Sequence, residues 1–298
     1  KDMLKEETDL CNDYTKLTAG AKIQFKGKEY NLSGLGPFHS HKDRNIRKQS
    51  YEARFNWFSE NSQELDDTYD KLVKLRHKMA VSLGYNDFTE LGYLRMNRSD
   101  YGPVEVANFR KQIVDHVVPI VNELQLKKKE ILGLDHLYFY DGINFIEGDP
   151  RPKGTPEELI QAAQEMYHEL SDETGKFFDI MVNEELMDLV NREGKAPGGF
   201  CTSFPKYNRP YIFSNFNGTD HDITVLTHEA GHAFQCYSSR NQPLSSYIWP
   251  TMEAAEIHSM SMEYFTWPWM DRFFKEDTDR FKYKHLAGGL SFLPYGAC

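Results

Sequence analysis

Apolar positions along the chain follow a helical period over most of its length and lose it over one short stretch. Residues 43–60, 62–83, 103–131, 156–171 and 173–190 carry apolar side chains at three- and four-residue spacing, the stripe of a helix packed on a core. Thr155 ahead of "PEEL" and Ser171 ahead of "DETG" stand where a side-chain oxygen can accept from the free amides of a first turn. Across residues 194–218 the pattern becomes "GKAPGGFCTSFPKYNRPYIFSNFNG", rich in Gly, Pro and aromatics, with strand-like runs at Phe200–Phe204 and at residues 211–216. The pattern predicts a mainly α protein with one small β-sheet. No internal repeat, low-complexity tract or flexible linker marks a boundary.

A further helical stripe follows that sheet. From Asp222, placed to cap, residues Ile223, Leu226, Ala230, Phe234 and Tyr237 recur on one face. His228 and His232 lie on roughly the opposite side, one turn apart and about 6 Å apart at their roots, so their rings can converge on one ion. Glu229 completes H-E-x-x-H from the flank of that face, within reach of a water on the ion. A zinc ion with three protein ligands acidifies its water and polarises a peptide carbonyl, and the flanking carboxylate takes the proton. Gly231 interrupts this helix at a cost of about 1 kcal/mol, which implies that something approaches the backbone closely there.

The third ligand comes from elsewhere, because Gln235 and Ser238 occupy the places of the glycine and third histidine in the extended motif. The next helical stretch, "WPTMEAAEIHSMSMEYF", has Pro250 near its first turn and acids at Glu253, Glu256 and Glu263. Helical angles put Glu256, Ser259 and Glu263 on one face, Glu253 about 60° away and His258 nearly opposite. Glu256 is the expected ligand, and Glu263 the expected partner that orients a ligating imidazole. His221 shares the face of His228 but sits about 10 Å away, too far to share the ion. His39 and His41 of "FHSH" read as solvent-facing loop residues. Tyr207 and Tyr211 could touch a substrate, though aromatics in short strands are usually packing residues.

Composition narrows the setting. A net charge of −10 over 298 residues, with no basic stripe, argues against nucleic acid as a partner. No apolar run reaches the roughly 20 residues of a membrane span, and "KDMLKEETDL" lacks the apolar core of a signal peptide. Four scattered cysteines, Cys11, Cys201, Cys236 and Cys298, suit a reducing compartment, so a cytoplasmic location is expected.

Taken together, "HEAGHAFQ", "EAAEIHSMSMEYF", "GGFCTSF", "YIFSNFNGT" and the upstream "RHKMAVSLGYNDFTELGYLRMNRSDY" resemble the oligoendopeptidase F branch of the thimet oligopeptidase family of zinc metallopeptidases. The resemblance covers most of the chain. It implies an α-helical metallopeptidase fold with a deep channel, one Zn²⁺ per chain and cleavage of short peptides. Residue by residue it implies His228, His232 and Glu256 as ligands, Glu229 as general base and Glu263 as the downstream acid. In such enzymes an edge strand beside the zinc helix pairs with the substrate backbone, and the matching residues are Tyr211, Ile212, Phe213, Ser214, Asn215 and Phe216. Residues 1–193 are then expected to form a helical channel wall and residues 194–298 the catalytic zinc region. The alternative is a helical peptide-binding or scaffold module with a structural metal site, but no fourth Cys or His is spaced to close the coordination shell.

Relatives of this kind continue past "LPYG" into a Gly/Tyr-rich loop whose Tyr and His stabilise the oxyanion, whereas this sequence stops at Cys298. The expectation is a fragment that binds zinc yet turns peptides over slowly, since one lost oxyanion donor typically costs about 100- to 1000-fold in rate. Apolar surface bared in a fragment should also drive self-association. Sedimentation at two protein concentrations checks this: the apparent mass should rise with concentration, and a constant monomer mass would refute it.

Overall fold

The structure, a computed structural model, describes residues 1–297; Cys298 lies outside the described residues. In chain order the elements are α1 (Asp2–Ala19), β1 (Ile23–Phe25), β2 (Lys28–Tyr30), α2 (Gly36–His39), α3 (Arg44–Glu60), α4 (Ser62–Ser82), α5 (Phe88–Arg95) and α6 (Pro103–Gln112). They continue with α7 (Val118–Ile131), α8 (Pro156–Leu170), α9 (Asp172–Asn183), β3 (Met187–Val190), β4 (Phe200–Phe204) and β5 (Arg209–Phe216). The last four are α10 (His221–Ser239), α11 (Met252–Phe265), α12 (Asp271–Phe274) and α13 (Thr278–Ala297). The fold is mainly α with small sheets, as the periodicity predicts. Thr155 and Ser171 cap α8 and α9, accepting from the Glu158 and Thr174 amides. The stripe over residues 103–131 is α6 and α7 joined through one wide π turn, Ile113–Val117.

Two expectations about elements change. The stripe over residues 173–190 is not one helix: α9 stops at Asn183, Glu185 turns left-handed at φ 54°, and β3 follows. The apolar run Leu186, Met187, Leu189 and Val190 fits either period, so only the intervening turn separates helix from strand. The apolar end of the chain, which reads as turn-rich, is helical in α13 through Ala297, with Pro294 inside it. Its stripe is held by Phe281, which stacks on Phe274 with ring centroids 4.1 Å apart.

The larger core draws on residues from Leu159 to Phe281, so α8 and α9 pack with the elements that follow residue 193. Tyr167, Phe177, Phe178, Phe273 and Phe274 are fully buried in it. Ile223, Leu226 and Ala230 of α10 are fully buried there too, and Phe234 and Tyr237 pack against Phe177. The apolar stripe of α10 therefore faces the core and leaves His228 and His232 on the other side. A second, smaller cluster joins Ile23, Phe25, Leu32, Leu35 and Trp57 in the N-terminal region. Among the described residues, no helix is long and apolar enough to cross a membrane.

Gly231 is where α11 crosses α10. A Cβ at this position would lie 2.6 Å from the His258 carbonyl oxygen and 2.7 Å from the Ser259 Cα. These are backbone atoms of α11 and cannot swing aside, so the close approach implied by the glycine is a helix crossing.

Replacing Gly231 with Ala should therefore destabilise the protein by about 1–3 kcal/mol, although alanine is the better helix former. Urea unfolding measures this; a midpoint at or above that of the parent would show that the helices separate at little cost.

Candidate metal centre

The crossing sets α11 against the histidine face of α10. His228, His232 and Glu256 each offer one ligand atom, and those atoms lie within 4.8 Å of one another. Glu256 Oε2 is 3.2 Å from His228 Nε2 and 3.7 Å from His232 Nε2. Ligands at 2.0–2.1 Å in a tetrahedron sit about 3.3 Å apart, close to the two distances from Glu256, so the donor set suits a zinc-sized ion. Ser259 Oγ also donates to Glu256 Oε2 at 2.7 Å and steadies the carboxylate.

Glu263 lies two turns beyond Glu256. Its Oε1 accepts from His228 Nδ1 at 2.7 Å, which leaves Nε2 with a free lone pair facing the other ligands. Its Oε2 pairs with His285 Nε2 of α13, while Trp267 Nε1 donates to His285 Nδ1 at 3.0 Å. The indole thus requires an unprotonated Nδ1, and the proton of neutral His285 points at Glu263. Burial opposes ionisation of Glu263, but its bonds to His228 and His285 outweigh that and hold its pKa below the ordinary value. For His228, burial opposes the charge, yet Glu263 and the neighbouring carboxylates raise its pKa on balance.

Glu229 has the opposite surroundings. It is 6% exposed, and its Oε2 is buried with no hydrogen-bond partner in the protein. Burial pushes its carboxyl up to about 7; His228 and the Cys201 amide pull it down, and Glu256 and Glu263 push it further up. A buried carboxylate with one free oxygen beside three convergent candidate ligands is what a proton acceptor at this position requires.

The strand beside it differs from expectation. The three-stranded sheet runs β3-β5-β4, so the segment from Tyr211 to Phe216 is central rather than at an edge. β3 pairs with it in parallel, Met187 opposite Ile212, and β4 antiparallel, Phe200 opposite Phe213. The edge position was what the resemblance implied for these residues, and the sequence, in which β3 read as helix, offered nothing to correct it. The edge near Glu229 is β4. Packing brings it close: a Cβ on Gly199 would lie 2.9 Å from Val225 Cγ1 and 3.6 Å from Glu229 Oε1.

Other residues named from the sequence fall outside the ligand set. His221 is exposed on the first turn of α10, and Glu253 pairs with Arg98. His258 Nδ1 bonds the Ala254 carbonyl, and Tyr207 is exposed. Asp222 does not cap α10; its carboxylate turns back to accept from the Asn217 and Gly218 amides. His39 is not a solvent-facing loop residue: it ends α2, stacks on Tyr51 with centroids 4.1 Å apart, and its Nε2 is buried. His285 and Trp267 were missed altogether, since nothing in their local pattern sets them apart until α13 folds back onto Glu263.

Comparison with known proteins gives the family of the chain. The profile of Peptidase family M3 matches residues 38–284. An oligoendopeptidase F homolog of Borreliella burgdorferi is 26% identical over 260 residues, 84% of this chain and 41% of that protein. The solved structure of PZ peptidase A with an inhibitor is 51% identical, with a TM-score of 0.98 over 99% of this chain and 53% of its own. A Bacillus anthracis structure described as an oligoendopeptidase F is 50% identical, with a TM-score of 0.97 over 99% of this chain and 55% of its own. The chain spans about two-fifths of that curated relative and about half of these solved structures.

Two outcomes follow. Removing Glu263 by substitution with Gln or Ala should weaken zinc binding about 10- to 100-fold, measured by competition with a chelator; unchanged affinity would deny it the orienting role. Glu229→Gln should stabilise the metal-free chain at neutral pH. An acid whose folded pKa is raised destabilises nothing below about 4.5, and its cost grows as pH rises to about 7. The variant's unfolding free energy, from urea denaturation, should match the parent's at pH 4.5 and exceed it at pH 8 by an amount on the order of 3 kcal/mol. A difference independent of pH would mean the carboxylate is not the cause.

Proposed function

Because the chain belongs to peptidase family M3, we propose that it carries the catalytic centre of a zinc-dependent endopeptidase acting on short peptides. The observation that carries this reading is the convergence of His228 Nε2, His232 Nε2 and Glu256 Oε2 beside the buried carboxylate of Glu229, whose Oε2 has no partner in the protein. His228, His232 and Glu256 would hold the ion, leaving coordination space that no further Cys or His among the described residues fills. When bound, zinc supplies Lewis acidity, polarising the scissile carbonyl and making water more acidic. Glu229 takes the proton of the attacking water and delivers it to the departing amine. Its position beside the three convergent side chains lets it exchange a proton with water there. Glu263 keeps the His228 proton on Nδ1. The free edge of β4 offers sequence-tolerant main-chain hydrogen bonds, so we place the peptide along Phe200–Phe204 instead of β5.

The alternative, a metal-stapled scaffold that does not cut, is disfavoured by Glu229. A structural site has no use for a buried carboxylate oxygen left without a partner, which costs stability.

Zinc per chain, measured by plasma mass spectrometry on protein purified without chelators or a metal-affinity tag, should be close to one and be lost in His228→Ala. Glu229→Gln should keep the zinc and abolish cleavage of a fluorogenic short peptide. Zinc content indifferent to His228, or hydrolysis that survives the loss of Glu229, would overturn the reading.

A further inference from the structure

A polar cavity of 420 Å³ adjoins the centre on the far side of the Gly199 loop. Its walls include His39, Tyr51 and Arg54 from the N-terminal region, Asn215 of β5, and Val225 on α10. Val225 lies one turn before Glu229 on the same helical face, and Gly199 packs between them, so cavity and centre share a wall.

The chemistry of that wall is unbalanced. Arg54 is half-buried, forms no ion pair among the described residues, and has one long contact, 3.4 Å, to the Leu32 carbonyl. Its guanidinium rests over Phe58 at 5.4 Å, and burial pushes its pKa down. The lining contains one carboxylate, Asp222, and both its oxygens are taken by the Asn217 and Gly218 amides. Two buried atoms on the wall lack partners in the protein: His39 Nε2 and Asn215 Oδ1. The Asn215 amide is oriented unambiguously, because its Nδ2 donates to the Ala196 and Gly198 carbonyls, so Oδ1 can only accept. The imidazole of His39 is kept neutral by burial, with its pKa at about 4.

A cation without a counter-charge calls for an anion. Because the cavity shares a wall with the centre, a peptide held there can bring that anion as a carboxylate. We infer that this cavity is a substrate subsite in which Arg54 binds a peptide carboxylate. The inference rests on the proposed peptidase reading. The carboxylate has two possible sources, the C-terminus of the peptide and an Asp or Glu side chain. Either source would make Arg54 a specificity-determining residue at a distance from the metal.

The test is calorimetric titration of the zinc-loaded chain carrying Glu229→Gln, so that no peptide is consumed. Three probes suffice: acetyl-tetraalanine as free acid, the same peptide as its amide, and acetyl-Ala-Ala-Asp-Ala-amide. The free acid should bind at least about tenfold more tightly than the plain amide if the C-terminus is the source. If the side chain is the source, the Asp peptide should show that advantage instead. In both cases Arg54→Met should erase the advantage and Arg54→Lys should keep part of it, with circular dichroism confirming that both variants fold. Equal binding of all three peptides, absence of binding by any of them, or an advantage untouched by Arg54→Met overturns the inference. The zinc content of the same samples separates the two readings. Zinc held without carboxylate preference defeats the subsite alone, whereas carboxylate preference that persists in a chain unable to hold zinc defeats the zinc reading alone.

Discussion

The contact between α10 and α11 at Gly231 is the constraint on which the rest of the centre depends. Two of the proposed ligands belong to one helix and the third to the other, and a single turn of glycine backbone sets how near the helices come. With no side chain there, the carbonyl of His258 and the Cα of Ser259 approach to ordinary contact. Ser259 in turn donates to Glu256, and Glu263 reaches His228 one turn further along. The metal geometry is thus a by-product of helix packing. It is also why the face of α10 opposite the histidines must be so thoroughly apolar: the helix has to be pinned by Ile223, Leu226 and Ala230 before its other face can be used.

Within that frame, adjacent residues of one helix are given contrary electrostatic surroundings. His228 is tied through Glu263 to His285 and Trp267, a chain of hydrogen bonds that fixes where each proton sits. Glu229, the next residue, points into a pocket that supplies almost nothing. One environment removes freedom from a ligand; the other leaves a base poised. Differences of this kind between neighbouring groups are how a site assigns separate roles to chemically ordinary side chains.

Much of this could be read from the sequence, for reasons that can be stated. The stripe of α10 and the spacing of His228, Glu229 and His232 are local, so helical geometry alone placed them. Angles around α11 did the same for Glu256 and Glu263. Gly231 announced a close approach because a glycine inside a helix needs a cause. Sequence reasoning failed where the answer depended on a distant partner. The run at residues 186–190 suits helix or strand until β5 arrives to pair with it, and the edge position that the resemblance implied for residues 211–216 fell once β3 was seen beside them. His39 looked exposed because its cover, Tyr51 of α3, is brought by the fold. His285 is an unremarkable histidine until α13 returns it to Glu263.

The placement of the ligands along the chain has a consequence for how the centre comes together. His228, His232, Glu256 and Glu263 fall within residues 228–263, and the chain between the two helices is short. The entropy of closing a loop grows only with the logarithm of its length, but it must be met before any contact across the loop can form. A centre drawn from two successive helices meets little of it. The long-range partners, His285 behind Glu263 and the α3 residues of the neighbouring cavity, come at greater separation and refine what the helix pair has already assembled. The division is one between ligand positions that lie close together in chain order and supporting contacts that come from farther along the chain.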